Sequence, residues 1–131
     1  MSARVSFDYA IVRVVPRVDR GELLNAGVVL YCLKRDFLEA RLLLDEARLV
    51  ALWPAIDAGL VRSHLDAVAR IAAGDATAGA VARLTQRERW HWIVSPRSTI
   101  IQMSPVHSGL TTDPTTTLAH LVDCLVRTPT A

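Results

Sequence analysis

The sequence predicts an α+β domain: a mainly antiparallel sheet of about five strands with helices covering one face, in the order βββ-αα(α)-ββ-α. Three observations predict it. Short β-branched and aromatic runs with hairpin-length connections fill the chain from Phe7 to Leu44. Apolar residues recur at helical spacing between Glu46 and Ala73. Two more short apolar runs then precede an Asp-Pro helix start at Asp113. With 131 residues the chain suits one domain, residues 1–131, which buries roughly two thirds of its unfolded surface and needs neither disulfide nor metal to do so.

In order, FDYAIVRVV (Phe7–Val15) reads as a strand that Pro16 stops by removing a ladder donor. Alternation puts Tyr9, Ile11, Arg13 and Val15 on one face and Ala10, Val12 and Val14 on the other, so both faces look buried. GVVLYCL (Gly27–Leu33) is a second strand, and the polar turn Lys34–Asp36 leads into a third, Phe37–Leu44, as a hairpin. Asp45 caps a short helix, EARLVALW, that Pro54 ends. In Ile56–Ala73 a stripe of Leu60, Val61, Leu65, Val68, Ile71 and Ala72 lies opposite a ladder of Arg62, Asp66 and Arg70, and Gly74 closes the helix. Asp75–Leu84 fits a last helical turn or a loop. WHWIV (Trp90–Val94) and STIIQM (Ser98–Met103) read as two strands joined around Pro96, and Pro114 opens a final helix with Leu118, Leu121, Val122 and Leu125 on its face.

Composition narrows the functional classes. With 51% hydrophobic and 21% charged residues the chain is neither disordered nor fibrous. Its apolar runs fall far short of the roughly 20 residues a spanning helix requires, so no membrane contact is expected. MSARVSFDY has no extended apolar segment before a cleavage site, and a cytoplasmic location is the expectation. Cys32 and Cys124 lack paired spacing and read as core thiols in a reducing compartment. A net charge of +2 does not by itself argue for nucleic acid. All basic residues but Lys34 are arginine, a habit that a GC-rich genome explains as readily as anion binding does.

Two polar segments stand out between apolar strands: PRVDRGELLNAG (Pro16–Gly27) and SPRSTIIQMSPVHSGLTTDP (Ser95–Pro114). The candidate binding residues are Arg13, Arg17, Glu22, Asn25, Arg97 and His107. Arg13 on a buried face needs a partner, and Glu22 is the nearest obvious carboxylate; the other reading has Arg13 or Arg17 holding a phosphate or carboxylate in bidentate fashion. Gly21 and Gly27 bracket Glu22 and Asn25, but no GxGxxG or GxxxxGK[ST] is present to make a nucleotide loop. His64 sits on the apolar stripe as a core histidine. His107, among Ser104, Ser108 and Asp113, could serve as a general acid or base, although no GxSxG elbow supports a serine nucleophile. His120 and Cys124 have i, i+4 spacing but no second pair, so no metal and no cofactor are expected. Trp90 and Trp92 beside Arg87, Arg89 and Arg97 could stack single-stranded bases, yet two tryptophans at strand spacing fit a sheet core better, with the arginines as a solvated rim.

YAIVRVVPRVDRGELLNAGVVLYC together with SPRSTIIQMSPVHSGLTTDP resembles the bacterial domain-of-unknown-function 3037 family over nearly the whole chain. The resemblance implies no assigned activity. It does imply an association with a HipA-like kinase-domain protein, encoded next to many members and therefore a candidate partner.

The expectation is thus a non-catalytic binding or regulatory module that recognises a protein partner or an anionic ligand, rather than nucleic acid, through loops 17–25 and 104–113 on one side of the domain. The alternative is an enzyme acting on a phosphorylated substrate or nucleic acid, with Arg13 and Arg17 as anion clamps, Glu22 as base and His107 as acid. A common cleft for Glu22 and His107 would favour the enzyme.

Overall fold

The computed structural model describes residues 3–129. The chain runs β1 (Val5–Val14), β2 (Leu24–Cys32), a 3-10 turn (Leu33–Arg35), β3 (Phe37–Leu42), α1 (Glu46–Leu52) and α2 (Ala58–Ala73). Two further 3-10 turns (Ala76–Ala78 and Val81–Arg83) lead to α3 (Gln86–Val94), β4 (Ile101–Met103), β5 (His107–Thr111) and α4 (Pro114–Leu125). Asp45 and Asp113 cap α1 and α4 as the sequence signals, Asp57 caps α2, which begins two residues inside the expected start at Ile56, and Gly74 ends α2 in the left-handed region at φ 73°.

The strands form one antiparallel sheet in the order β3-β2-β1, with β4 and β5 sharing the remaining edge of β1. β4 pairs with Val12–Val14 and β5 with Val5–Tyr9. At the junction the buried Ser104 replaces one rung of the ladder. Its backbone N–H donates to the Ile11 carbonyl at 2.9 Å, and its Oγ accepts from the Ile11 N–H at 2.8 Å. A register shift between Val12 and Arg13 lets Ala26 bulge from β2.

The α+β class, the five antiparallel strands and the element order agree with the sequence; the layering differs. On one face Ala10, Val12, Val14, Val29 and Tyr31 pack against Leu49 of α1, Val61, Leu65 and Val68 of α2, and Trp90 and Ile93 of α3. On the other, Phe7, Val28, Leu30 and Cys32 pack against Leu118 and Val122 of α4 and Val126 just beyond it. β1 and β2 are apolar on both sides, so a single helical layer would leave Val28 and Leu30 in water. α4 supplies the second layer.

A further correction concerns WHWIV, which is helical. Thr85 and Glu88 form a capping box, each side chain bonding the other's backbone N–H, and this starts α3 ahead of the aromatic run. Trp90 and Ile93, three apart, face the core, and Trp90 stacks on Tyr31 with centroids 5.7 Å apart, whereas Trp92 turns outward at 39% exposure. The last two strands are therefore β4 and β5, the latter formed by residues read from sequence as loop.

Candidate functional site

The β1–β2 connection is a self-contained polar loop. Arg20 and Gly21 donate their N–H groups to the Arg17 carbonyl at 3.2 Å, and Gly21 turns the chain at φ 73°. Residues two apart are thereby brought side by side. Arg17 pairs with Asp19, its Nε 3.0 Å from Oδ1, and Arg20 pairs with Glu22. The hydrogen bond from Arg17 holds the exposed Asp19 carboxyl below its ordinary value. The Arg17 guanidinium also lies 5.0 Å from the centre of the Trp53 ring. The loop's charges are thus neutralised within it.

Arg13 does not pair with Glu22. The register sets Arg13 opposite Asn25 on β2 and Gln102 on β4, while Glu22 lies beyond the end of the ladder, already held by Arg20. Asn25 Nδ2 donates to the Leu125 carbonyl at 3.0 Å, tying β2 to the end of α4. Arg13 Nε and Asn25 Oδ1 are buried with no hydrogen-bond partner among the described residues.

His107 lies on the other half of the sheet. It starts β5 opposite Tyr9, their rings tilted at 5.3 Å. Asn25 is opposite Arg13 on the far side of β1, so the two positions are separated by four residues along the strand, roughly 13 Å, and by two strand spacings, roughly 10 Å, across the sheet. Among the described residues, none of the five main recesses is lined by Glu22, Asn25 or His107. The shared surface expected for loops 17–25 and 104–113 does not form, because residues 107–111 extend as a strand toward the opposite end of β1. The polar side chains of this segment have structural partners: Ser104 completes the ladder at Ile11, Ser108 Oγ donates to Asp8 at 2.6 Å, and the Asp113 carboxylate caps α4.

Arg97 has a different setting. Its loop is fixed to the end of β1 by the Val15 N–H, which donates to the Ile100 carbonyl at 2.7 Å. Arg13, Arg17, Glu22, Asn25 and Arg97 therefore share one end of the sheet, without His107. The Arg97 guanidinium lies over the Trp92 ring, 3.9 Å from its centre, and Nη2 donates to the Trp92 carbonyl. Beneath it opens a recess of about 210 Å³, with His64, Trp92, Arg97 and Thr99 around a floor of Val68 and Ile71. Burial pushes the Arg97 guanidinium down from its ordinary value, and no carboxylate among the described residues pairs with it. It remains a cation at neutral pH. His64, expected in the core, is exposed at this recess because α2 turns its buried stripe one position away, through Val61, Leu65 and Val68.

Sequence reasoning missed a second recess, of about 300 Å³, lined by Ser6, Asp8, Tyr31, Arg87, Trp90 and His91. Its residues come from β1, β2 and α3, and only the fold brings them together. Cys124 is exposed rather than buried, with Sγ 3.5 Å from His120 Nε2, and no third metal-ligating side chain joins them among the described residues. No helix of the described residues is long and apolar enough to cross a membrane.

These features define an α+β domain built on a doubly covered antiparallel sheet, with an arginine–tryptophan recess at one end. The chain belongs to the family described as "Protein of unknown function (DUF3037)", whose model matches residues 9–126. Neither the curated proteins nor the solved structures contain a match to it.

Proposed function

We propose that the protein is a non-catalytic binding module that takes an anionic group, a carboxylate or phosphate carried on an apolar body, into the recess beneath Arg97. One observation carries the reading. Arg97 is a partly buried guanidinium over the Trp92 ring, paired with no carboxylate among the described residues, at the mouth of an apolar cleft. A guanidinium held over an indole, with one Nη2 donor fixed on the Trp92 carbonyl, is positioned in advance to offer its remaining N–H groups to an oxyanion. His64 adds a ring N–H at the rim, the Thr99 hydroxyl being spent on the Ile101 carbonyl at 2.8 Å, and Val68 and Ile71 favour an apolar body. Arg17 and Arg20 are less favoured as anion clamps, since Asp19 and Glu22 already pair with them.

In this reading the anion belongs to a protein partner, and the HipA-like kinase-domain protein implied by the family resemblance is the first to test. A cytoplasmic setting accompanies it, since the exposed Cys124 thiol suits a reducing compartment.

Calorimetric titration with benzoate and phenyl phosphate tests the site itself. Saturable binding is expected in the native protein, weakened about tenfold or more by Arg97→Ala, as for loss of a charge-assisted hydrogen bond. Arg17→Ala should leave it intact. No saturable heat with either compound, or equal loss from both variants, contradicts the proposal.

A further inference from the structure

We infer that the outer edge of β3 is a self-pairing surface that joins two copies of this chain, β3 against β3, into a dimer with one continuous sheet. β3 ends the strand order, and no strand among the described residues pairs with its outer side. The Leu43 N–H donates to the Ala26 carbonyl at 2.7 Å, so antiparallel alternation turns the backbone groups of Phe37, Glu39 and Arg41 inward to β2 and those of Leu38, Ala40 and Leu42 outward. The outward row is an open template for another strand.

The side chains choose the strand. β3 reads Phe-Leu-Glu-Ala-Arg-Leu. An antiparallel two-fold through Ala40 sets Ala40 against Ala40 of the second copy and Leu38 against Leu42 of the second copy, all of them residues whose N–H and C=O point outward. The same register sets Glu39 against Arg41 of the second copy, twice. These fall at the non-hydrogen-bonded positions, where Cα atoms approach to about 4.5 Å and side chains are closest. A shift to a two-fold through Glu39 opposes Glu39 to itself, and one through Arg41 opposes two arginines. Of the registers open to this strand, only the two-fold through Ala40 sets Glu39 against Arg41. Within one chain Glu39 and Arg41 already pair at 3.0 Å, and both side chains are exposed, so they are free to exchange partners across the dyad.

Beside this edge, between β3 and α2, runs a groove of about 580 Å³ in which Leu42, Leu44, Leu65 and Ala69 alternate with the charged Arg41, Glu46, Arg62 and Asp66. The two-fold places the two grooves face to face, so that each closes the other. A strand edge, a self-complementary charge pattern and a partly apolar groove therefore coincide. The interface lies away from the Arg97 recess and does not depend on its function.

Sedimentation velocity across micromolar to sub-millimolar concentrations tests the pairing. The native chain is expected to move from monomer to dimer. Arg41→Glu or Glu39→Arg alone places like charges across the dyad and should raise the dimer Kd by about tenfold or more, while the double exchange Glu39→Arg with Arg41→Glu restores it. Circular dichroism confirms that each variant is folded. A native chain that stays monomeric, a dimer indifferent to the single exchanges, or a double exchange that fails to restore pairing overturns the inference. Capture of a different protein's strand by a monomeric chain would be such a result.

Discussion

Replacing Gly27 by alanine should destabilise the protein through steric conflict in the sheet, with no change in backbone preference involved. Gly27 lies in β2 between Val12 of β1 and Leu42 of β3. A Cβ there would stand 2.5 Å from Leu42 Cδ1, 2.7 Å from the Arg41 carbonyl oxygen and 3.2 Å from Leu42 Cα. The leucine methyl can turn aside. The Arg41 carbonyl cannot, because it belongs to the β2–β3 ladder, so the strands must separate at the bulge. Overpacking of this kind costs about 2–3 kcal/mol, toward the upper end of its usual range. At roughly 3–4 °C per kcal/mol for a chain of this length, Tm should fall by about 6–12 °C. Urea unfolding followed by circular dichroism measures it, with an unchanged m-value expected. Gly21→Ala is the contrast: nothing lies within 4 Å of its added Cβ, but φ is 73°, so the cost is conformational, about 1 kcal/mol. Gly21→Asn should recover much of that loss, since asparagine tolerates this conformation, whereas Gly27→Asn should recover nothing. A Gly27→Ala variant within about 0.5 kcal/mol of the native protein would refute the reasoning and the β2–β3 register behind it.

Leu118→Ala, which empties a fully buried position under α4, should cost about 2–5 kcal/mol in the same urea assay, and a surface-like effect would contradict the second helical layer. Thr85→Ala removes half of the capping box and should cost about 1 kcal/mol, with faster amide exchange confined to the start of α3. Hydrogen bonds from Thr77 hold the Asp75 carboxyl down to about 2 from 3.8, and backbone or side-chain donors lower Asp45, Glu88 and Asp113 as well. Each of these groups has its folded pKa below the unfolded one, so its stabilisation is present above about pH 4 and is lost as pH falls through the folded values. The urea midpoint should accordingly decline between about pH 4 and pH 2, and Asp75→Asn should flatten the most acidic part of that decline.

Much of the fold was legible because its signals are local. Pro16 and Pro54 stop elements, Asp45 and Asp113 start them, and the apolar runs of β1 and β2 announce strands buried on both faces. α3 was misread because the aromatic density of WHWIV outweighed the capping pattern Thr85-x-x-Glu88, which was present in the sequence and decided the outcome. The candidate site was legible only in part. Arg97 was marked as a binding residue, but its stacking on Trp92 depends on Trp92 lying on a helix, and its recess is completed by His64 from α2. The Arg13–Glu22 pair was inferred from proximity in sequence, yet the turn at Gly21 gives Glu22 to Arg20 and the ladder gives Arg13 to Asn25 and Gln102. The meeting of loops 17–25 and 104–113 failed for a topological reason: β5 runs back along β1 and takes His107 with it. No local pattern distinguishes such a strand from a polar loop.

The central claim, that Arg97 and Trp92 form an anion-binding recess, is tested most directly by NMR titration of the native protein with phenyl phosphate, following the arginine Nε–Hε and tryptophan indole N–H signals together. The account predicts saturable shifts at Arg97 and Trp92 with one common Kd, smaller shifts at His64 and Thr99 on the recess rim, and none at Arg17, Trp53 or His107. Shifts centred on the 17–23 loop or on β5, or no saturable shift at Arg97, would contradict it.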